Sequence, residues 1–244
     1  MNNQQFLSGQ VAMVTGGTRG IGRAIVEQLR EAGASVHLCG RSVDTVNEAL
    51  KALGEPRVGG GKVTGQAVDV TRDGQVAAWF GGVREAEGRL DILVNNAGIG
   101  RFHAVRDLDM AAWRETIETN LTAAYSCSRQ ALERFDRERG GFIVNIASLA
   151  SRNAFAGGAA YNASKFGLLG FGEAMMLDHR QENVRVSTIL PGSVATEFSP
   201  RSEGADDSWK IAPEDVAAVV MDVLRMPRRT LVSLVEMRPA RPAK

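Results

Sequence analysis

From residue 11 almost to the end of the chain, short runs of Val, Ile and Leu alternate with longer stretches whose apolar residues recur at helical spacing. That alternation is the mark of a parallel sheet, because parallel neighbours need a long return connection, usually a helix. Strand candidates are Val11-Ala12-Met13-Val14, Val36-His37-Leu38-Cys39, residues 64–70, Ile92-Leu93-Val94, and residues 142–146, 184–189 and 231–235. Their branched aliphatic content suits strands buried on both faces. Between the first two, Ile21, Ala24, Ile25 and Leu29 share one helix face, and Gly33 suits the left-handed residue just past its end. Ser42 is expected to cap a helix reaching Leu53, and Thr71 one carrying Val76, Trp79, Phe80 and Val83. Further helices are expected over 110–137, 160–181 and 213–224. The pattern predicts an α/β fold: a doubly wound parallel sheet of seven strands with helices on both faces.

No linker, repeat or shift of composition divides the 244 residues, so a single domain over 1–244 is expected. Lys and Arg total 29 against 28 for Asp and Glu, which leaves no broad basic field for nucleic acid or an anionic membrane. No uncharged apolar run is long enough to span a membrane, and Met1 to Phe6 carry no secretory signal. With only Cys39 and Cys127 as thiols, a cytoplasmic setting is expected. His37, His103 and His179 are scattered, so no metal site is expected. The polar segment 198–210, inside a wider stretch 192–212, reads as a substrate lid or a long loop. Trp79 and Trp113 read as packing, Cys39 as a small core residue, and Trp209 as a residue that either touches substrate or does not.

Gly16, Thr18, Arg19, Gly20, Ile21 and Gly22 lie in the turn between the first strand and the first helix. Glycines there let the backbone approach a pyrophosphate, and the helix N-terminus offers free N–H groups to it. The spacing is T-G-x-x-x-G-x-G rather than the G-x-G-x-x-G fingerprint, and the Lys-Ser/Thr ending of a P-loop is lacking. After the second strand, where a carboxylate would bind a ribose 2′-hydroxyl, the chain has Arg41. Arg41 and Arg19 together suit a 2′-phosphate, so NADP(H) is expected over NAD(H).

Tyr161 and Lys165 stand four apart on one helix face, and Ser148 follows the strand 142–146. With the glycine turn, Asp69-Val70, Asn95-Asn96-Ala97-Gly98, Asn120 and Pro191-Gly192, these residues make a sequence that resembles the short-chain dehydrogenase/reductase family along nearly its whole length. The resemblance implies a Rossmann-type domain, a nicotinamide cofactor and a catalytic set of Asn120, Ser148, Tyr161 and Lys165. It also implies cofactor contacts from Asp69, Val70, Asn96, Ala97, Gly98, Tyr161, Lys165, Pro191, Gly192, Val194 and Thr196. Chemically, hydride delivery to a ketone needs an acid for the developing alkoxide. A tyrosine, with its pKa of about 10, needs neighbouring positive charge to exchange a proton at neutral pH. The Lys165 ammonium is expected to lower that pKa and Ser148 to hydrogen-bond the substrate oxygen, and the resemblance implies that Asn120 holds a water linking Lys165 to solvent; a polar residue that kinks its helix is the other reading of Asn120.

A pocket of Ser148, Leu149, Ala150, Arg152, Phe155, Tyr161, Gly192, Ser193 and Phe198 is expected, mostly apolar with one cation. It suits a medium-sized ketone or a 3-oxoacyl group; the whole chain is similar to 3-oxoacyl-carrier-protein reductases, whereas its ending, Glu236-Met237-Arg238-Pro239, is similar to a branch acting on small hydroxy or keto compounds. The alternatives are an NAD(H)-dependent alcohol dehydrogenase of the same family and an NADP(H)-binding sensor without turnover. Related epimerases and dehydratases need an extra substrate domain, for which residues 193–244 are too few. Arg134, Arg137 and Arg139 alternate with acidic residues and read as a solvated face. Phe166, Leu168, Leu169, Phe171, Met175, Met176 and Leu177 make the last long helix apolar around much of its girth. A homo-oligomer, dimer or tetramer, is therefore expected.

Overall fold

The alternation read from the sequence resolves, in a computed structural model describing residues 5–55, 59–198 and 207–241, into seven strands and seven α-helices among the described residues. In chain order these are β1 (Val11–Val14), α1 (Gly20–Glu31), β2 (Ser35–Gly40), α2 (Val43–Leu53), β3 (Val63–Ala67), α3 (Asp73–Glu87) and β4 (Ile92–Asn95). There follow α4 (Met110–Ile117), α5 (Ala123–Leu132), β5 (Gly141–Ile146), α6 (Ala159–His179), β6 (Val184–Pro191), α7 (Pro213–Arg225) and β7 (Leu234–Met237). All pairings are parallel, in the order β3-β2-β1-β4-β5-β6-β7. The order reverses between β1 and β4, which opens a crevice at the carboxyl ends of those strands.

Each strand face packs on its own helical layer. Val14, Val36, Val94 and Val144 share a core with Ile25 and Leu29 of α1, Val46 of α2 and Val220 of α7. On the other face Met13, Leu93 and Ile143 meet Val76, Trp79 and Phe80 of α3, Cys127 of α5 and Met175 of α6. Gly33, at φ +94°, follows α1 as expected, and the Ser42 hydroxyl accepts from Thr45 N at 3.3 Å to cap α2.

Several boundaries differ from the sequence reading. Thr71 does not cap α3: its hydroxyl donates to Asp69 Oδ1 at 2.7 Å, and Arg72 holds the N-cap position. The stretch 110–137 is not one helix. A π-turn (Glu118–Thr122) separates α4 from α5, which ends at Leu132. The last strand begins three residues later and ends two later than its apolar run suggested; before it, Ser187 Oγ and Thr188 N bond the carbonyls of Val232 and Ser233. Trp113 is not a packing residue; 36% of it is exposed, whereas Trp79 is fully enclosed. Among the described residues no helix is long and apolar enough to cross a membrane, and no three His, Cys, Asp or Glu gather in a metal-binding group.

Candidate active site

The first strand delivers the chain into a cavity of about 1350 Å³ that runs along the carboxyl edge of the sheet. The glycine turn forms one end. Gly16 sits at φ +62°, in the left-handed region, and a Cβ there would stand 3.0 Å from Ala97 Cα. A Cβ on Gly22 would drive into the Gly16 carbonyl and Asn96 Nδ2. Asn96 locks the turn by donating to the carbonyls of Thr15 and Gly16 at 3.0 and 2.9 Å, while the Thr15 hydroxyl accepts from Asn96 N and Ala97 N. The N-cap of α1, Arg19, makes no side-chain cap, and the first turn of α1 has no acidic residue. Its leading N–H groups and positive potential are thus left for an anion. A bare backbone cradle and an uncapped helix start fit the pyrophosphate of a dinucleotide.

At the other end, β5 and α6 bring Ser148, Tyr161 and Lys165 together. Tyr161, two residues into α6, is 8% exposed, and Lys165 one turn later is 4% exposed. The Lys165 ammonium donates to the Ile146 carbonyl at 3.0 Å and lies 5.8 Å from the Tyr161 ring centre. Burial pushes the Lys165 pKa down to about 8. Burial pushes the Tyr161 phenol up, against the pull of its hydrogen bond with Ser148. Asn120 sits in the π-turn and does not line the cavity. Its amide is spent on Ile99 N, Ile99 O and Ser164 Oγ, at 2.8, 2.9 and 3.0 Å. The helix expected there is interrupted by that π-turn.

The profile of the short chain dehydrogenase family matches residues 10–206. The chain belongs to the short-chain dehydrogenase family. It is 36% identical over 193 residues to a 3alpha-hydroxysteroid dehydrogenase of Mediterraneibacter gnavus, covering 79% of this chain and 77% of that one. The same figures hold for the 3-oxoacyl-[acyl-carrier-protein] reductase FabG of Vibrio cholerae. A solved metagenomic short-chain oxidoreductase in complex with NADP superposes with a TM-score of 0.83 at 37% identity, over 97% of this chain and 99% of that one. The protein is thus an oxidoreductase of carbonyl or hydroxyl groups, built on a Rossmann-like sheet for a nicotinamide cofactor.

In this dehydrogenase the cavity gathers Gly16, Thr18, Arg19, Gly20, Ile21, Gly22, Arg41, Asp69, Val70, Asn96, Ala97 and Gly98 along one length. Ser148, Ala150, Phe155, Tyr161, Lys165, Pro191, Gly192, Val194, Thr196 and Phe198 line the rest. Thr196 stands over Gly20, with its Cγ2 3.2 Å from where a Cβ would be. Burial raises the Asp69 carboxyl, but two hydrogen bonds from Thr71, with Arg72 and Arg41 nearby, bring it below the usual carboxylate range. Arg41 and Arg19 are both exposed at the rim, 4.0 Å from Glu115 and 3.2 Å from Glu197. Arg152 does not line the cavity: it turns outward and pairs with Glu236 at 3.0 Å. Trp209 does line it. Phe102, Glu115, Arg238 and Pro239 also line it and were not foreseen as site residues, because nothing in their local pattern separates them from ordinary loop and helix residues.

Proposed function

We propose that this dehydrogenase reduces a medium-sized, mostly apolar ketone or 3-oxoacyl group to an alcohol, reversibly, with NADPH preferred over NADH. The observation that carries the reading is the setting of the Tyr161 hydroxyl. Phe102, Phe155 and Phe198 surround its ring, with centroids 5.5, 6.3 and 5.8 Å away, in the same cavity as the glycine turn. Three phenyl rings favour an apolar or flat substrate and hold water away from the carbonyl. When bound, the nicotinamide supplies or accepts the hydride. Tyr161 gives its proton to the substrate oxygen as negative charge develops there, and Ser148 donates a hydrogen bond to the same oxygen. Lys165, hydrogen-bonded to Ile146 O, supplies the positive charge that favours the tyrosinate left behind. Asn120 acts from the π-turn, fixing Ile99 and Ser164 beside the site. Arg41 and Arg19 take the 2′-phosphate, Asp69 and Val70 flank the adenine, and Asn96, Ala97, Gly98, Pro191, Gly192, Val194 and Thr196 hold the rest of the cofactor.

The chain works as one dinucleotide-binding and catalytic unit over 1–244, in the cytoplasm, as a homo-oligomer. Segment 192–212 serves as a substrate lid. Its two ends are stitched together by Ala195 N to Ile211 O and Ile211 N to Ser193 O, at 2.9 and 3.0 Å, and Phe198 and Trp209 line the cavity from either side; residues 199–206 of that stretch lie outside the described ones. The decisive assay is NADPH and NADH oxidation against 3-oxoacyl thioesters, apolar ketones, quinones and keto acids. Tyr161→Phe is expected to lower kcat by about 100-fold or more while leaving NADPH affinity intact, and Arg41→Asp to narrow the NADPH/NADH ratio. Cofactor binding with no turnover across the panel would instead favour a sensor.

A further inference from the structure

The edge of the sheet where the strands begin, opposite the cavity already described, holds a second cavity of about 530 Å³. The leading residues of β4, β5 and β6 border it, together with the end of α6 and the segment that follows α7. Its charge is one-sided. Seven arginines line it against one carboxylate, Asp91, in a chain whose net charge is only +1.

That carboxylate is already committed. Asp91 accepts from both prongs of Arg89, at 2.6 and 2.8 Å, and from Val11 N at 2.8 Å. Arg139 and Arg225 pair with Asp136 and Asp222, at 3.2 and 3.0 Å, and neither of those carboxylates lines the cavity. Arg180, Arg185, Arg228 and Arg229 have no carboxylate partner among the described residues. Arg185 is half-buried, with its guanidinium 4.4 Å from the Phe142 ring centre and one nitrogen donating to Met226 O at 3.1 Å. Burial, with Arg228 nearby, lowers its pKa. A cation at a helix C-terminus has a reason of its own in the macrodipole, which covers Arg180 and Arg225 at the ends of α6 and α7. It does not cover Arg185 on β6 or Arg228 and Arg229 in the loop beyond α7. Like charges gathered around one concavity repel unless an anion joins them.

We propose that this cavity binds a small molecule carrying clustered phosphate groups. Guanidinium forks match phosphate oxygens two at a time, and four uncompensated forks suit a ligand of three or more negative charges. The volume falls in the range of small-molecule pockets, about 300–1,000 Å³. Phe6 and Leu231 add an apolar wall, with Arg225 stacked 4.8 Å from the Phe6 ring centre. The site is independent of the reductase reading, since none of its residues lines the other cavity.

The test is isothermal titration of the full-length protein with tripolyphosphate and, separately, ATP, each with and without saturating NADP+, with sulfate at matched ionic strength as reference. Saturable binding tighter than sulfate and unaffected by NADP+ is expected. Arg228→Glu with Arg229→Glu, at two exposed positions without ion-pair partners, is expected to weaken it by at least about tenfold. The double variant is expected to keep the thermal stability and cofactor affinity of the wild type, because both positions are remote from the other cavity. Equal affinity for the two ligands would mean that the phosphates alone are read; tighter ATP binding would mean that a nucleotide is. No saturable binding, affinity no better than sulfate, competition by NADP+, or indifference to the double substitution would each overturn the proposal.

Discussion

The Lys165 ammonium is enclosed by β5 and α6 with one carbonyl acceptor, Ile146 O, and its pKa falls from the ordinary 10.5 to about 8 because burial disfavours charge. That depression has a consequence for stability with a definite sign. Below pH 8 both the folded and unfolded chains hold the proton, and the folded state bears the full cost of a buried cation. Between pH 8 and 10.5 the unfolded chain binds more protons, so stability rises with pH until both forms are neutral. Wild type is therefore expected to gain up to about 3 kcal/mol over Lys165→Met across that window, read from denaturant midpoints of each protein at a series of pH values. Parallel curves would mean that Lys165 is not desolvated. The same scale explains the inertness of Cys39: burial pushes its thiol up to about 12, so although it touches the cavity wall it behaves as a small apolar side chain. That Tyr161 and Lys165 share a helix face was legible from their spacing of four, and that Ser148 follows a strand from the apolar run before it, whereas their grouping as one set came from the family resemblance. The direction of the Tyr161 pKa was not legible, since it depends on how many neighbours crowd the phenol.

Between the elements, the turn from β1 into α1 is a tight junction. Three backbone stretches meet there: Thr15-Gly16, Gly22 and Asn96-Ala97. Gly22→Ala places a methyl against the Gly16 carbonyl, which is backbone, and against Asn96 Nδ2, a side-chain end pinned by its bonds to the carbonyls of Thr15 and Gly16. It is expected to destabilise the fold by about 1–3 kcal/mol and to weaken NADPH binding more than it lowers kcat at saturation. Fluorescence titration and urea unfolding measure the two effects, and a variant with wild-type affinity would show that the turn relaxes freely. The π-turn at Glu118–Thr122 carries the opposite lesson about elements. The apolar spacing over 110–137 reads as an unbroken helix. What widens the turn is Asn120 bonding both backbone groups of Ile99 and the hydroxyl of Ser164, on two segments distant in sequence. Thr71 fails as a cap for a related reason: its hydroxyl is claimed by Asp69.

For the molecule as a whole, the outward faces of α5 and α6 are the main unsettled surface. Tyr125, Phe166 and Leu177 are 50%, 44% and 54% exposed, and Tyr125 sits edge-on to Phe171 with centroids 6.1 Å apart. Each such side chain gains about 1.5–3 kcal/mol on full burial, so covering the face with a second copy is favourable. Light scattering is expected to give two or four times the 26.2 kDa chain mass, and Phe166→Glu with Leu177→Glu is expected to return the single-chain value. A wild type that runs at the single-chain mass at micromolar concentration would refute the oligomer. Leu168, Leu169 and Met175, counted with these residues as a ring of apolar positions, turn out to be buried within the chain, so only part of that ring remains for a partner.

The sequence by itself determined the strand–helix alternation, the parallel sheet, the glycine turn and the helical pairing of Tyr161 with Lys165. All of these rest on short continuous apolar runs, on a helical period of about 3.6 residues or on the φ freedom of glycine, which are properties of short stretches. Only the tertiary structure decided that Phe102, Phe155 and Phe198 converge on Tyr161, that Arg152 leaves the pocket for Glu236, and that Asn120 is spent on Ile99 and Ser164. It alone also gathered arginines from β6, α6, α7 and the loop beyond into one basic cavity. Those outcomes depend on which distant segments arrive side by side, and on how desolvation and competing partners then divide their charges and hydrogen bonds.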